Sequence, residues 1–316
     1  MKVLPITAII PTLNRSASLA RTLESLEKQG ALPAELVVID GSTDPSSQRV
    51  VEEWNHRLAN CSVVWQAAKV LGAAAQRNQG VAIASQPFVC FLDDDILFEP
   101  DCLERMWKAL AADQKLGAVN AMIINQRYQS PGFVSRTLFR LLHGRSEVSY
   151  AGMVLGPAVN LLPEDREDLP EVVPVCWLNT TCTLYRGEAL PRPPFDLVFT
   201  GYSMMEDLAL SLRVGTRWRL ANARTARIFH DSQPGPHKSD ISAMARMELV
   251  NRHYVMTVVL NRRRLLDYLR LFLWEIFQLS TSTVRSQSRS QMRAICWGKF
   301  DGLRQIYFGS RRGLAS

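Results

Sequence analysis

Over the first 124 residues, short runs that are apolar throughout take turns with stretches whose apolar residues recur at helical spacing. The runs are ITAIIPT (Ile6–Thr12), ELVVID (Glu35–Asp40), SVVWQ, PFVCFL and GAVNAMII. After the first, Leu19, Leu23 and Leu26 fall on one helical face, Ser16 is in place to cap, and Gly30 ends the pattern. The stretches opening at Gly41, Gly72 and Asp101 read as further helices. Strands without a polar face are buried on both sides, and strands that alternate with helices pair in parallel. The pattern therefore predicts an α/β chain with a mostly parallel sheet covered by helices on both faces. Ligands of such sheets bind beyond the carboxyl ends of the strands. The endings PTLNR, DGSTD and DDD then share one edge.

From Asn125 to Pro170 the pattern loosens into QSPGF, HGRSE and LPEDREDLPE. VPVCWLNTTCTLYR returns to strand character, MEDLALSLRVG reads as a short helix ended by Gly215, and RWRLANARTARIFH as two short strands. From about Ser239 the chain is helical and basic. The net charge of +7 is concentrated there: 261–316 holds 11 Lys/Arg against 3 Asp/Glu, leaving the preceding residues at −1. RRRLLDYLRLFLWEIFQL is amphipathic as a helix, which suits an anionic membrane surface, a cover for the sheet, or a dimer contact. Nucleic acid is not expected, since no recognisable module accompanies the basic tail.

The six cysteines form no C-x-x-C pair, several sit in apolar runs, and the amino-terminal MKVLPITAIIPTLNR lacks a secretory pattern. A cytoplasmic setting is expected, peripheral to the membrane if the tail binds lipid. No apolar stretch reaches spanning length, and the sequons at Asn60 and Asn179 read as chance.

The chemistry-bearing residues sit at the strand ends. Asp93, Asp94 and Asp95 close an apolar strand, and side-chain alternation should send Asp93 and Asp95 to one side. Such a pair suits Mg²⁺ or Mn²⁺; alone it equally suits a solvated acidic turn. Glu206 and Asp207 open a helix, where the dipole favours acids and where a general base would also sit. His230 ends a strand, with His237 a weaker candidate beyond it. Arg77 is suited to clamp a phosphate or to stand on a solvated helix face, and Asp40 to bind a ribose or cap the GSTD turn. Trp177 and Tyr202 offer apolar surface to a sugar ring or to the core.

The order PTLNR, VVIDGSTD, G-x-x-x-x-RNQG, FLDDD, MEDLALSLRV, ARIFH resembles the family 2 glycosyltransferases of the GT-A fold, over roughly Leu4 to Gly235. The resemblance implies a GT-A domain over 1–238, binding a nucleotide sugar in 1–124 and the acceptor in 125–238, followed by a basic helical extension over 239–316. Pro11, Thr12, Asn14, Arg15, Asp40 and Arg77 then match the side that holds a UDP-, GDP- or dTDP-linked donor. Asp93, Asp94 and Asp95 match the DXD-type motif on ribose and metal, His230 an additional metal or diphosphate contact, and Asp207, paired with Glu206, the catalytic base. The implied activity is inverting transfer of a hexose to a glycan, lipid-linked or small-molecule acceptor. Ile39 stands where the family commonly has an acid, and Asn179 where relatives often carry glycine. A glycosidase leaves the nucleotide-type strand ends unexplained, and a sugar nucleotidyltransferase lacks its glycine-rich loop. An inactive sugar-nucleotide-binding scaffold is the remaining alternative.

Overall fold

The computed structural model describes residues 2–58, 60–232, 239–284 and 291–312, arranged as two compact units. The first takes in 1–129, 151–153 and 161–233; the second 130–150, 154–160 and 234–316. The second unit thus joins the carboxyl-terminal segment to two short segments from the middle of the sequence.

The elements of the first unit up to residue 124 follow the alternation: β1 (Lys2–Thr12), α1 (Ser16–Glu27), β2 (Ala31–Asp40), α2 (Ser46–Arg57), β3 (Ser62–Ala67), α3 (Ala73–Ile83), β4 (Phe88–Leu92), β5 (Ile96–Phe98), α4 (Cys102–Ala112) and β6 (Leu116–Ile123). Ser16 begins α1 without a side-chain capping bond. The two faces of β1 show why the strand is apolar throughout. Ile6, Ala8 and Ile10 share a core with Leu19, Leu23 and Leu26 of α1 and Met106 of α4. Ile9 points the other way, onto α3, where a Cβ on Gly80 would come within 2.5 Å of its side chain. Glycine there lets helix and sheet approach closely.

Strands β3, β2, β1 and β4 are mutually parallel, with Thr12 paired to Asp40 and Asp40 to Ala67. The next position is filled from far downstream. Strand β10 (Cys182–Arg186) lies antiparallel between β4 and β6, so the fifth strand of the sequence is not the neighbour of the fourth. RWRLANARTARIFH forms one strand rather than two: β11 (Arg219–His230), with a register shift between Ala223 and Arg227. It runs parallel to β6 and pairs antiparallel with β5 and with β9 (Val172–Val175). His230 therefore finishes at the same edge as Thr12 and Asp40, beside Ile96. The helix α6 (Glu206–Val214) starts at that edge too, tied by a backbone bridge between Gly72 and Gly201.

The second unit contains α5 (Phe133–His143), the hairpin β7–β8 (Val154–Leu155, Val159–Asn160), α7 (Ile241–Tyr254), α8 (Leu265–Val284) and α9 (Met292–Arg312). Helix α7 runs into a wider turn over Val255–Val259. Leu249, Met256 and Leu271 form its small apolar centre with Ile306. Helix α9 meets α7 at Gly298, where a Cβ would stand 2.2 Å from the Ser242 carbonyl oxygen. No described helix is long and apolar enough to cross a membrane. The six cysteines are free.

Candidate functional site

The acidic triplet lies in the turn between β4 and β5, not in the strand, so alternation along a strand is not what orients it. Asp93 and Asp95 nevertheless share a side, although each is paired with a different arginine. Asp93 accepts from Arg77 Nη2 at 2.6 Å, and its own backbone N–H donates to the Thr181 carbonyl. Asp95 is bonded to Arg15 Nη2 and lies 3.1 Å from His230 Nε2. Asp94 turns inward, accepting from Thr12 Oγ1 at 2.7 Å and pairing with Arg15 Nη1 at 2.8 Å. Burial pushes Asp94 up to about 7 in spite of Arg15 and Thr12. Burial acts on Asp95 in the same direction, but His230 and Arg15 outweigh it and bring Asp95 down to about 2.

Arg77 is the hinge pin of the site. It is 3% exposed, and its second terminal nitrogen, Nη1, holds Glu206 Oε1 at 2.9 Å. One planar guanidinium thus joins the turn after β4 to the first turn of α6, a geometry that suits its fork. Burial and the adjacent Asp207 raise Glu206 to about 8 against the pull of Arg77. Asp207 is half-buried, accepts from the Leu208 backbone N–H at 2.6 Å, and is pushed up by burial to about 6.

The residues expected on the nucleotide side are at the same edge. Pro11 and Thr12 end β1, and Asn14 sits at φ 53 with its side-chain oxygen accepting from Thr43 N at 3.1 Å. Asp40 caps its own turn by accepting from Ser42 N at 2.8 Å, and it also accepts from Trp65 Nε1 at 3.1 Å. A carboxylate offers about four lone-pair positions, so these two bonds leave acceptor capacity. Tyr202 is 40% exposed; Trp177 is 5% exposed and spends its indole N–H on the Leu161 carbonyl, as a core residue does. His237 lies outside the described residues.

Two glutamines were not foreseen. Gln76 is buried and donates from Nε2 to the carbonyls of Thr12 and Ile39, stitching the ends of β1 and β2 together. Gln126 Nε2 stands 2.9 Å from His230 Nδ1, which fixes the ring while Nε2 faces Asp95. A polar residue at an interior position of the Ala-rich α3 was the one available signal for Gln76; nothing local marked Gln126.

Residues 7–144 match the family model of glycosyl transferase family 2. Over that stretch, a little under half of its length, the chain is similar to the family 2 glycosyltransferases. The validoxylamine A glucosyltransferase of Streptomyces hygroscopicus subsp. limoneus is 36% identical over 109 residues, 34% of this chain and 24% of that protein. The amylovoran biosynthesis glycosyltransferase AmsB of Erwinia amylovora is 29% identical over 107 residues, 33% of this chain and 35% of that one. The chain thus spans about a quarter to a third of the length of these relatives. Among solved structures, the mannosyltransferase PcManGT from Pyrobaculum calidifontis superposes with a TM-score of 0.56 at 14% identity, covering 95% of this chain and 86% of that one. GalNAc-T7 gives 0.53 at 14% identity, covering 84% and 54%. Both likenesses are of fold, and they place the sheet in the GT-A class.

At this sheet edge, ligand atoms of Asp93, Asp95 and His230 all lie within 4.8 Å of one another. Two carboxylates and an imidazole are a donor set that Mn²⁺ or Mg²⁺ accepts. The surrounding charge agrees, since the carboxylates Asp93, Asp94, Asp95, Glu206 and Asp207 gather around two guanidiniums, Arg15 and Arg77, and the His230 imidazole.

Proposed function

We propose that the protein transfers a hexose from a nucleoside diphosphate sugar to a hydroxyl acceptor, with inversion at the anomeric carbon. The observation that carries this reading is the meeting of Asp93, Asp95 and His230 at one sheet edge, with Arg77 joining them to the Glu206–Asp207 pair. The donor class is supported by the solved neighbours, one described with GDP-Man and Mn²⁺ and the other with UDP, GalNAc and Mn²⁺. The acceptor is a glycan, a lipid-linked sugar or a small molecule.

Asp93, Asp95 and His230 would hold a divalent cation, which when bound would neutralise charge on the donor diphosphate. Thr12, Asn14, Arg15 and Asp40 bind the nucleotide side, with Pro11 shaping the strand end. Asp207 takes the proton of the acceptor hydroxyl as that oxygen bonds to the anomeric carbon. The bond from this carbon to the diphosphate oxygen breaks on the opposite face, and its electron pair leaves with the nucleotide. A base whose pKa lies near the working pH is the effective one, and Asp207, at about 6, meets that condition. Glu206, held by Arg77, fixes the end of α6 beside it. Tyr202 offers its exposed ring to the acceptor. The same reading places the protein on the cytoplasmic face of a membrane, supported by the basic segment 261–316.

Thermal melting against a panel of nucleoside diphosphates, with and without Mn²⁺, tests the proposal, because a ligand of the folded state raises its melting temperature. A Mn²⁺-dependent rise with one nucleotide, absent in Asp95→Ala, is expected. No rise with any nucleotide at saturation would refute it.

A further inference from the structure

The long helices of the second unit pair several of their charges on the inner side and leave much of their apolar surface outside. On the inner side, Glu248 of α7 accepts from Gln278 of α8 at 2.8 Å and from Lys299 of α9 at 2.8 Å, and Lys299 also pairs with Glu275 of α8 at 2.7 Å. On the outer side of α8, Leu265, Leu266, Leu269, Phe272, Leu273 and Ile276 are 43–77% exposed. Their spacing makes one continuous helical stripe. Helix α9 adds Trp297, Phe300, Leu303 and Tyr307, each more than half exposed. Apolar surface gathered in this way, rather than scattered singly, marks a face made to be covered.

Charge decides what covers it. Arg263, Arg264, Arg293 and Arg304 are exposed in the same segment, and 261–316 holds 11 Lys/Arg against 3 Asp/Glu. A second copy docking through the same face would set two strongly basic segments against each other, which opposes a symmetric contact. Anionic headgroups answer both features at once. Arginines meet the phosphates, apolar side chains enter the acyl boundary, and Trp297 and Tyr307 suit the headgroup level.

We infer that the α8–α9 face docks on an anionic lipid bilayer, lying on its surface. This deepens the peripheral placement proposed above and rests on it, while using none of the transfer chemistry.

Flotation of the full-length protein with vesicles of phosphatidylcholine, alone or mixed with phosphatidylglycerol, is the test. Binding to the mixed vesicles is expected, weaker at high salt. Leu269→Ser with Phe272→Ser should reduce it by about tenfold or more, and Arg264→Gln with Arg304→Gln should remove much of its salt dependence. Both variants should keep the nucleotide- and Mn²⁺-dependent melting shift, so loss of docking and failure of the transferase reading are told apart. Absence of flotation, equal binding to neutral vesicles, or a dimer in sedimentation equilibrium that the Leu269/Phe272 variant abolishes would each overturn the inference.

Discussion

Around the turn after β4, Asp93, Asp94, Asp95, Glu206 and Asp207 share two guanidiniums, Arg15 and Arg77, and one imidazole, His230. In the second unit, Glu248 and Glu275 meet Arg252 and Lys299, acid for base. Both networks are largely buried, yet their proton affinities differ. Glu248 is brought down to about 2, as Arg252 and Lys299 overcome its burial. In the site, burial raises Asp94, Glu206 and Asp207, and only Asp95 is shifted down, by His230 and Arg15. A neutralised network can hold helices in register and is complete as it stands. One with surplus negative charge is costly to the fold unless something positive arrives, and such arrangements gather at functional sites. The imbalance, more than any single motif, separates the candidate site from ordinary structure.

The sharpest break would come from Asp207→Asn. Transfer should fall by about 10² to 10⁴-fold, the usual share of a general base, while the melting temperature holds or rises because one uncompensated carboxylate is gone. A variant that kept its activity would remove Asp207 from the chemistry. Lys299→Met should do the reverse, costing about 3–5 kcal/mol in a denaturant melt, as when one partner of a buried pair is removed. Unchanged stability there would erase the contrast between the networks.

A smaller effect is expected from pH. Raised carboxylate pKa values mean that the folded state holds these protons more tightly than the unfolded chain does. The stabilisation this gives in acid is lost as pH rises through about 6 for Asp207 and about 8 for Glu206. Without ligand, the melting temperature should decline between pH 6 and 8, and Glu206→Gln should flatten that decline; parallel profiles would show that Glu206 does not titrate there. The transfer rate should climb through about pH 6 as Asp207 loses its proton. Smallest of all, Gln76→Ala should cost about 1 kcal/mol by removing its bonds to the Thr12 and Ile39 carbonyls, the first of which keeps the Gly41 N–H, measured by the same denaturant melt.

The edge that gathers Thr12, Asp40 and the acidic turn was legible from the sequence, because parallel pairing of ITAIIPT, ELVVID and PFVCFL follows from local pattern alone. The insertion of β10 beside β4 was not, since strand partners far apart in the chain leave no periodic trace. Arg77 and Glu206 were each visible as charged residues in the right kind of place, but their pairing across 129 positions was not. Trp177 could be read as sugar platform or core until its indole bond to Leu161 was seen. Gln126 carries no charge and breaks no pattern, so its hold on His230 is knowable only from three dimensions.

Arg77 also bears on the order in which the polypeptide is made. Residues 7–144, the stretch matched to the family, include Arg77 and Asp93 but end well before Glu206. A nascent chain of that length has a guanidinium destined for the interior and only one of its two anions. With Asp93 alone the guanidinium makes one ion pair, and Glu206 fills the other arm of its fork once that part of the chain is present. Arg77 therefore ties the matched stretch to residues beyond it, and a fragment ending at 144 would leave one arm of a buried guanidinium without its acid.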